Sequence, residues 1–186
     1  VRVNAARRAV WKEVPIVRQL TVAAFCLSLV AGVATAQEQK PNVTRTPVGD
    51  WTKLCINDGA DCVIEQIGKT AEGEEAFSIQ VEKLATPQDV NGAKVESVAN
   101  IRVPLGVVLT QGLRLKIDQG QESVSPYFIC QPNGCVVRAP LQPELLTSLK
   151  AGAKAQFTFT VVVNSQPKRV PIDISLSGFT RAYDGL

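Results

Sequence analysis

Histidine is absent from this sequence, so any chemistry it supports must run on carboxylates, lysine, tyrosine or cysteine. No Ser-His-Asp or Cys-His machinery and no His-ligated zinc site can be assembled. The commonest general acid and base near neutral pH is missing as well. The acids that cluster are Glu72, Glu74 and Glu75, with Asp58 and Asp61 elsewhere in the chain. Two carboxylates across one cleft would suit glycoside hydrolysis. These sit in turn-like, glycine-containing segments, where acids are normally solvated. Asn57, Asp58 and Asp61 offer oxygen ligands for calcium, but three fall short of the roughly six to eight that calcium takes. Ser123, Ser125 and Ser177 have no base to activate them. Tyr127 reads as a packing or edge residue, and Lys150, at the end of a predicted helix, complements the helix dipole. Phosphate-loop and dinucleotide patterns are absent. The sequence therefore assigns no catalytic residue, no cofactor and no metal ligand.

Cysteine is the more informative residue type. Of the five, Cys26 lies in an apolar run near the start, and four remain: Cys55, Cys62, Cys130 and Cys135. Their spacings are C-x6-C and C-x4-C, and each pair brackets a turn sequence, Asn57-Asp58-Gly59 and Pro132-Asn133-Gly134. Four cysteines allow three connectivities. Local pairing, Cys55 with Cys62 and Cys130 with Cys135, is expected because each turn brings its own two cysteines together. A bridge needs Cα atoms about 4.4–6.8 Å apart, which predicts a four-residue turn over 131–134. Loops this short contribute about 2–2.5 kcal/mol each in the chain-entropy description, so they would staple a core that already suffices. A four-thiolate zinc site is disfavoured by the wide spacing, and a redox-active pair by the lack of C-x-x-C.

The elements that position these residues come in a recognisable order. Residues 1–36 read as a secretory signal peptide. They comprise a basic start with Arg2, Arg7, Arg8, Lys12 and Arg18, an apolar run over 20–33, and Ala34-Thr35-Ala36 as the cleavage site. Val1 reads as a translated GTG codon, with later starts at Val10, Val14 or Val17 as alternatives. A membrane anchor is the competing reading of the apolar run, but no basic stop-transfer cluster stands after it. The whole chain of 186 residues has 20 Lys and Arg against 17 Asp and Glu; five of those cations and one acid, Glu13, precede the cleavage site. The mature chain of 150 residues keeps 15 cations and 16 acids, a net charge of −1. Nucleic-acid binding thereby loses its electrostatic basis.

Residues 37–47 are polar with two prolines and read as a flexible leader to a domain over 48–186. That domain alternates with period two. Val170, Ile172, Ile174 and Leu176 alternate with polar residues. So do Ala155, Phe157, Phe159 and Val161, and Leu113, Leu115 and Ile117. Phe77, Ile79 and Val81 form a further set, as do Ala99, Ile101 and Val103. Weaker strands are expected at 51–56, 61–67, 124–130 and 135–139. One short helix is expected over 144–150, after Pro143 and before Gly152. About nine short strands and one helix predict an all-β fold, an antiparallel β-sandwich of immunoglobulin-like or jelly-roll-like type. The longest polar connection, 85–97, is expected to be a loop, and Thr86, Asp89, Asn91 and Lys94 in it are the candidate contact residues. Trp51 is expected half-buried beside Cys55, with ligand stacking as the sharper alternative. Gly178 is expected at a bulge or a close contact, with Phe179 as a core plug.

Taken in order, these landmarks resemble the invasion-associated locus B family of proteobacterial exported proteins. They are Gly49-Asp50-Trp51, then Cys55 and Cys62, then Val103-Pro104-Leu105-Gly106 and the strand from Leu113 to Asp118. Cys130 with Gly134-Cys135, Leu149-Lys150 with Gly152, and Ser175-Leu176-Ser177-Gly178-Phe179-Thr180 complete the set. The resemblance implies a compact β-sandwich in the periplasm or cell envelope, associated in some relatives with invasion of host cells, and it carries no catalytic residues. The functional expectation is a non-enzymatic exported domain acting through its surface, by strand addition or loop docking to a protein or envelope partner. No nucleic acid, and no transmembrane span after signal cleavage, is expected. A periplasmic small-ligand or glycan-binding module is the alternative, and a carboxylate hydrolase a remote one.

Overall fold

The computed structural model describes residues 42–56, 59 and 61–186. The expected signal peptide, and Asn57 and Asp58 of the calcium candidates, lie outside the described residues. The strands are β1 (Val43–Val48), β2 (Trp51–Ile56), β3 (Asp61–Lys69), β4 (Glu75–Val90), β5 (Ala93–Val103), β6 (Leu113–Ile117), β7 (Ser123–Ser125), β8 (Ile129–Gln131), β9 (Gly134–Pro140), β10 (Lys154–Val163) and β11 (Gln166–Ser175). Two α-helices, α1 (Pro143–Ala151) and α2 (Phe179–Asp184), and a short 3-10 helix (Leu109–Gln111) are the other helical elements among the described residues.

Strand alternation sorts these elements into two sheets. One has seven strands in the order β1-β2-β3-β4-β5-β9-β8, and the other four in the order β11-β10-β6-β7. Every pairing is antiparallel. The chain therefore runs as a five-strand meander before it crosses to the second sheet at Pro104, where a strand that lacks an N–H donor must stop. Each sheet buries one face. Phe77, Ile79 and Val81 of β4, Ile101 of β5 and Val137 of β9 meet Phe157, Phe159, Ile172 and Ile174 of the smaller sheet. The rings of Phe77 and Phe157 lie 4.6 Å apart. Burying each such side chain contributes about 1.5–3 kcal/mol, so the all-β sandwich rests on the residues that alternate most clearly.

α1 forms where Pro143 pre-sets its first turn, and it buries Leu149. Lys150 in its last turn also pairs with Asp184 of α2 at 2.7 Å. The helix ends at Gly152, whose N–H donates to the Ser148 carbonyl at 2.9 Å.

Several expectations need correction. Residues 43–47, expected in a flexible leader, form most of β1 and pair with β2 from Val43↔Ile56 to Val48↔Trp51. Composition alone hid this, because a strand at a sheet edge can be polar on both faces. Residues 85–97 are no loop: they belong to β4 and β5 on either side of a two-residue turn. A second, unexpected helix, α2, begins after Gly178, which caps it at φ +86° and, of the two expected alternatives, makes the close contact and not the bulge. The turn between Cys130 and Cys135 is two residues, with Gln131 and Gly134 already paired. Trp51 is fully buried at 1 % exposure, which leaves no face for a stacking ligand.

Candidate functional site

Two of the landmark segments, 49–51 and 175–180, meet at one place. The N–H of Asp50 donates to the Ser177 carbonyl at 3.1 Å, and Trp51 Nε1 donates to the Ser175 carbonyl at 3.1 Å. The Trp51 ring packs edge-on against Phe179 at 5.0 Å. Gly49 and Gly178 sit back to back. A Cβ on Gly178 would lie 2.2 Å from the Val48 carbonyl oxygen, and one on Gly49 would lie 2.7 Å from that of Ser177. Gln66, on the inward face of β3, ties the two segments together. Its Nε2 donates to the Asp50 carbonyl at 2.7 Å and to the Ser175 carbonyl at 3.1 Å. Sequence reading missed Gln66; the signal was a polar side chain at an inward position between Ile64 and Gly68. This knot closes the sandwich, with Trp51 and Phe179 buried and Asp50 and Ser177 exposed at its rim.

Both cysteine pairs form disulfides, each between residues directly opposite on adjacent strands. Cys55–Cys62 links β2 to β3 with Cα atoms 4.1 Å apart, and Cys130–Cys135 links β8 to β9 at 3.9 Å. Direct opposition replaces the wider turn expected for the second pair.

Among the described residues the acids do not converge. Glu72, Glu74 and Glu75 are exposed around the β3–β4 turn. Asp61 begins β3, and that nine-residue strand puts it about 25 Å from the turn. A hydrogen bond with Thr70 holds the Glu72 carboxyl below its usual value. Tyr127 is half-buried, and desolvation pushes its hydroxyl up to about 12, so it carries no proton traffic near neutral pH.

The candidate contact residues lie on a projecting β4–β5 hairpin. Its turn, Asn91-Gly92, has φ +55° and +80°, the two positive values that a type I′ turn requires. Asp89 Oδ1 accepts the Gly92 N–H at 3.0 Å and fixes the turn. Asp89 pairs with Lys94 across the hairpin, and both side chains are exposed. Thr86 stands apart, where the register shifts between Lys83 and Gln88. That bulge also accommodates Pro87, which lacks a ladder donor. At the base, Val95 is 1 % exposed, and Ser97 Oγ accepts the Tyr183 hydroxyl at 3.0 Å. The hairpin thus displays Asp89, Asn91 and Lys94 on an ordered arm.

The long edge strands are blunted: β1 carries Arg45 and Pro47, and β11 carries Pro167, Lys168, Arg169 and Pro171. A shallow groove of about 420 Å³ opens at one end of the larger sheet, lined by Ile67, Glu75, Phe77, Arg102, Pro104 and Asn133 among others. Among the described residues, no helix is long and apolar enough to cross a membrane.

Comparison with known proteins places this architecture. The family described as Invasion associated locus B (IalB) protein matches residues 51–186. An invasion protein B homologue of Brucella abortus is 30% identical over 167 residues, covering 88% of this chain and 86% of its own. Invasion protein B of Bartonella bacilliformis is 26% identical over 173 residues, covering 84% of this chain and 89% of its own. The crystal structure of invasion associated protein B from Bartonella henselae superposes with a TM-score of 0.61 at 20% identity, covering 76% of this chain and 94% of that one. At that identity the structural likeness speaks for the fold.

Proposed function

The chain belongs to the invasion associated locus B family, and from that premise we propose that it is an exported, non-enzymatic envelope protein that works by contact through the β4–β5 hairpin. The single observation that carries the reading is the arm itself. Thr86, Asp89, Asn91 and Lys94 are exposed on a hairpin whose turn and base are both fixed. A pre-ordered arm loses little conformational freedom on docking. Its opposed charges at Asp89 and Lys94 suit a polar protein partner at the cell envelope or on a host cell. Export is supported by the basic and apolar N-terminal pattern and by two disulfides, which persist in oxidising compartments. The relatives' names supply the association with invasion, at family level.

Site-specific photo-crosslinking tests the arm. Crosslinkers at positions 86, 89, 91 and 94 are expected to capture a partner in intact cells, while one at Arg169 on the β11 edge captures none. If replacing 88–95 by a shorter hairpin leaves every contact unchanged, the arm is not the contact. The mass of the protein recovered from the periplasmic fraction tests export, with cleavage after Ala36 as the expected result.

The groove favours a second reading, a binding module for a small ligand or glycan. Its volume of about 420 Å³ falls within the usual range for ligand pockets. Native mass spectrometry of the purified protein is then expected to show a co-purifying mass that Arg102→Ala removes.

A further inference from the structure

The outer face of the larger sheet carries two neighbouring rows of side chains, and only one of them is matched within itself. In the first row Glu65, Gln80, Asn100 and Arg138 stand opposite one another on β3, β4, β5 and β9. Gln80 Nε2 donates to Glu65 Oε2 at 2.6 Å. Asn100 Nδ2 donates to Glu82 Oε1 at 3.1 Å, and Arg138 pairs with the same oxygen at 3.5 Å. The second row is Ile67, Ser78, Arg102 and Val136. Among the described residues no ion pair reaches Arg102. No side-chain hydrogen bond among them engages Arg102 or the Ser78 hydroxyl either.

The stem of Arg102 is held although its head is free. Its Cγ and Cδ lie 3.0 and 3.3 Å from where a Cβ on Gly134 would stand, so the glycine that begins β9 makes room for it. A guanidinium carried on a packed stem loses little freedom when it is bound. The second row borders the groove of about 420 Å³, which has a polar end and an apolar end. Arg102 and Asn133 line it on the side of β9, Ile67 and Ala76 on the side of β3, with Ser78 between them. Ile67 is 38 % exposed and stands two strands from Arg102, about 10 Å away. Glu75, the one acid among the lining residues, stands opposite Lys69 in the β3–β4 ladder.

We infer that the groove binds a medium-chain aliphatic carboxylate, with its head on Arg102 and its chain over Ile67 and Ala76. The planar guanidinium matches a carboxylate with two parallel N–H···O bonds. Ser78 and Asn133 supply further donors, and the chain covers apolar surface now in water. One unpaired arginine answers one negative charge; a phosphate ester brings nearly two, and a neutral sugar or alcohol leaves the guanidinium unanswered. This assignment rests on the groove reading above and narrows it to one ligand class.

Titration of the whole protein with octanoate, followed at each backbone amide by two-dimensional NMR, tests it. Shifts are expected at 67, 76–78, 102–104 and 133–134, with the arm at 88–95 unmoved. Octanol, octyl phosphate, butyrate and maltotriose are each expected to bind roughly tenfold or more weaker than octanoate. Arg102→Gln is expected to erase the preference for octanoate over octanol, and Arg102→Lys, which keeps the charge and loses the fork, to fall between it and the parent. Arg102 is exposed, so both variants are expected to keep the parent's amide spectrum outside the groove. If octanol, octyl phosphate or maltotriose shifts the groove amides as tightly as octanoate, or Arg102→Gln keeps the preference, the carboxylate assignment is overturned and the groove stands as a site for another ligand. Octanoate shifts centred outside the groove overturn the assignment as well. Groove amides unmoved by every one of these ligands overturn the groove reading and the assignment together.

Discussion

Gly178 and Gly92 share a backbone conformation, at φ +86° and +80°, and have opposite surroundings. Around Gly178, three backbone atoms lie within 2.9 Å of where a Cβ would stand, and around Gly92 nothing lies within 4 Å. The first sits in the knot that joins the β1–β2 turn to the end of β11, the second at the tip of the β4–β5 arm. Two of the landmark segments meet in the knot, where Gly49, Asp50, Trp51, Ser175 and Phe179 bond or pack against one another. The candidate contact residues occupy the tip. The knot residues close the fold, and the residues at the tip take no part in that packing.

The comparison can be broken at either end. Trp51→Ala should have the largest effect, a loss of about 3–5 kcal/mol in urea unfolding, because a fully buried ring and its hydrogen bond to Ser175 are both removed. Gly178→Ala comes next at about 3 kcal/mol, from a strained left-handed backbone and a collision with the Val48 carbonyl. The same substitution at Gly92 should cost about 1 kcal/mol, the backbone part alone. If the two glycine variants lose equal stability, packing at the knot does not distinguish the regions. Lys94→Ala should stay within about 0.5 kcal/mol, since its ion pair with Glu96 is exposed on both sides. Any partner contact made through the arm should weaken nonetheless.

The smallest effect concerns pH. Burial works against the charge on Asp173, but hydrogen bonds from Gln156 and Lys154 outweigh it and hold the carboxyl below its usual value. A lowered folded value means that this group stabilises the fold above the unfolded value and loses that contribution as pH falls through the folded one. Asp173→Asn should therefore be slightly less stable than the parent at neutral pH. The gap should begin to narrow below about pH 4, the unfolded carboxylate value, and close as pH falls through the lowered folded value, as measured by thermal unfolding across pH.

Legibility tracked physical scale. The alternation of Phe157 and Phe159, or of Ile172 and Ile174, is a local consequence of pleating, and those strands stand where the pattern puts them. Asn91-Gly92 is a dipeptide suited to the two positive φ values of its turn. The strands around that turn were hidden, because 84–90 shows no apolar alternation and Val95 alone is buried among residues 84–95. β1 was hidden for the same reason. Gln66 could be noticed as polar at an inward position, but its two carbonyl partners come from 16 and 109 residues away.

By itself the sequence determined the strand faces, the pairing of cysteines through short local turns, and the absence of histidine chemistry. Each depends on residue type or on spacing within a few residues. Tertiary structure alone decided which strands became edges, that Gly49 and Gly178 meet, and that one disulfide lies within the sheet while its twin secures a three-residue margin. Those outcomes depend on what packs beside a segment from far along the chain, and spacing within the segment carries no record of it.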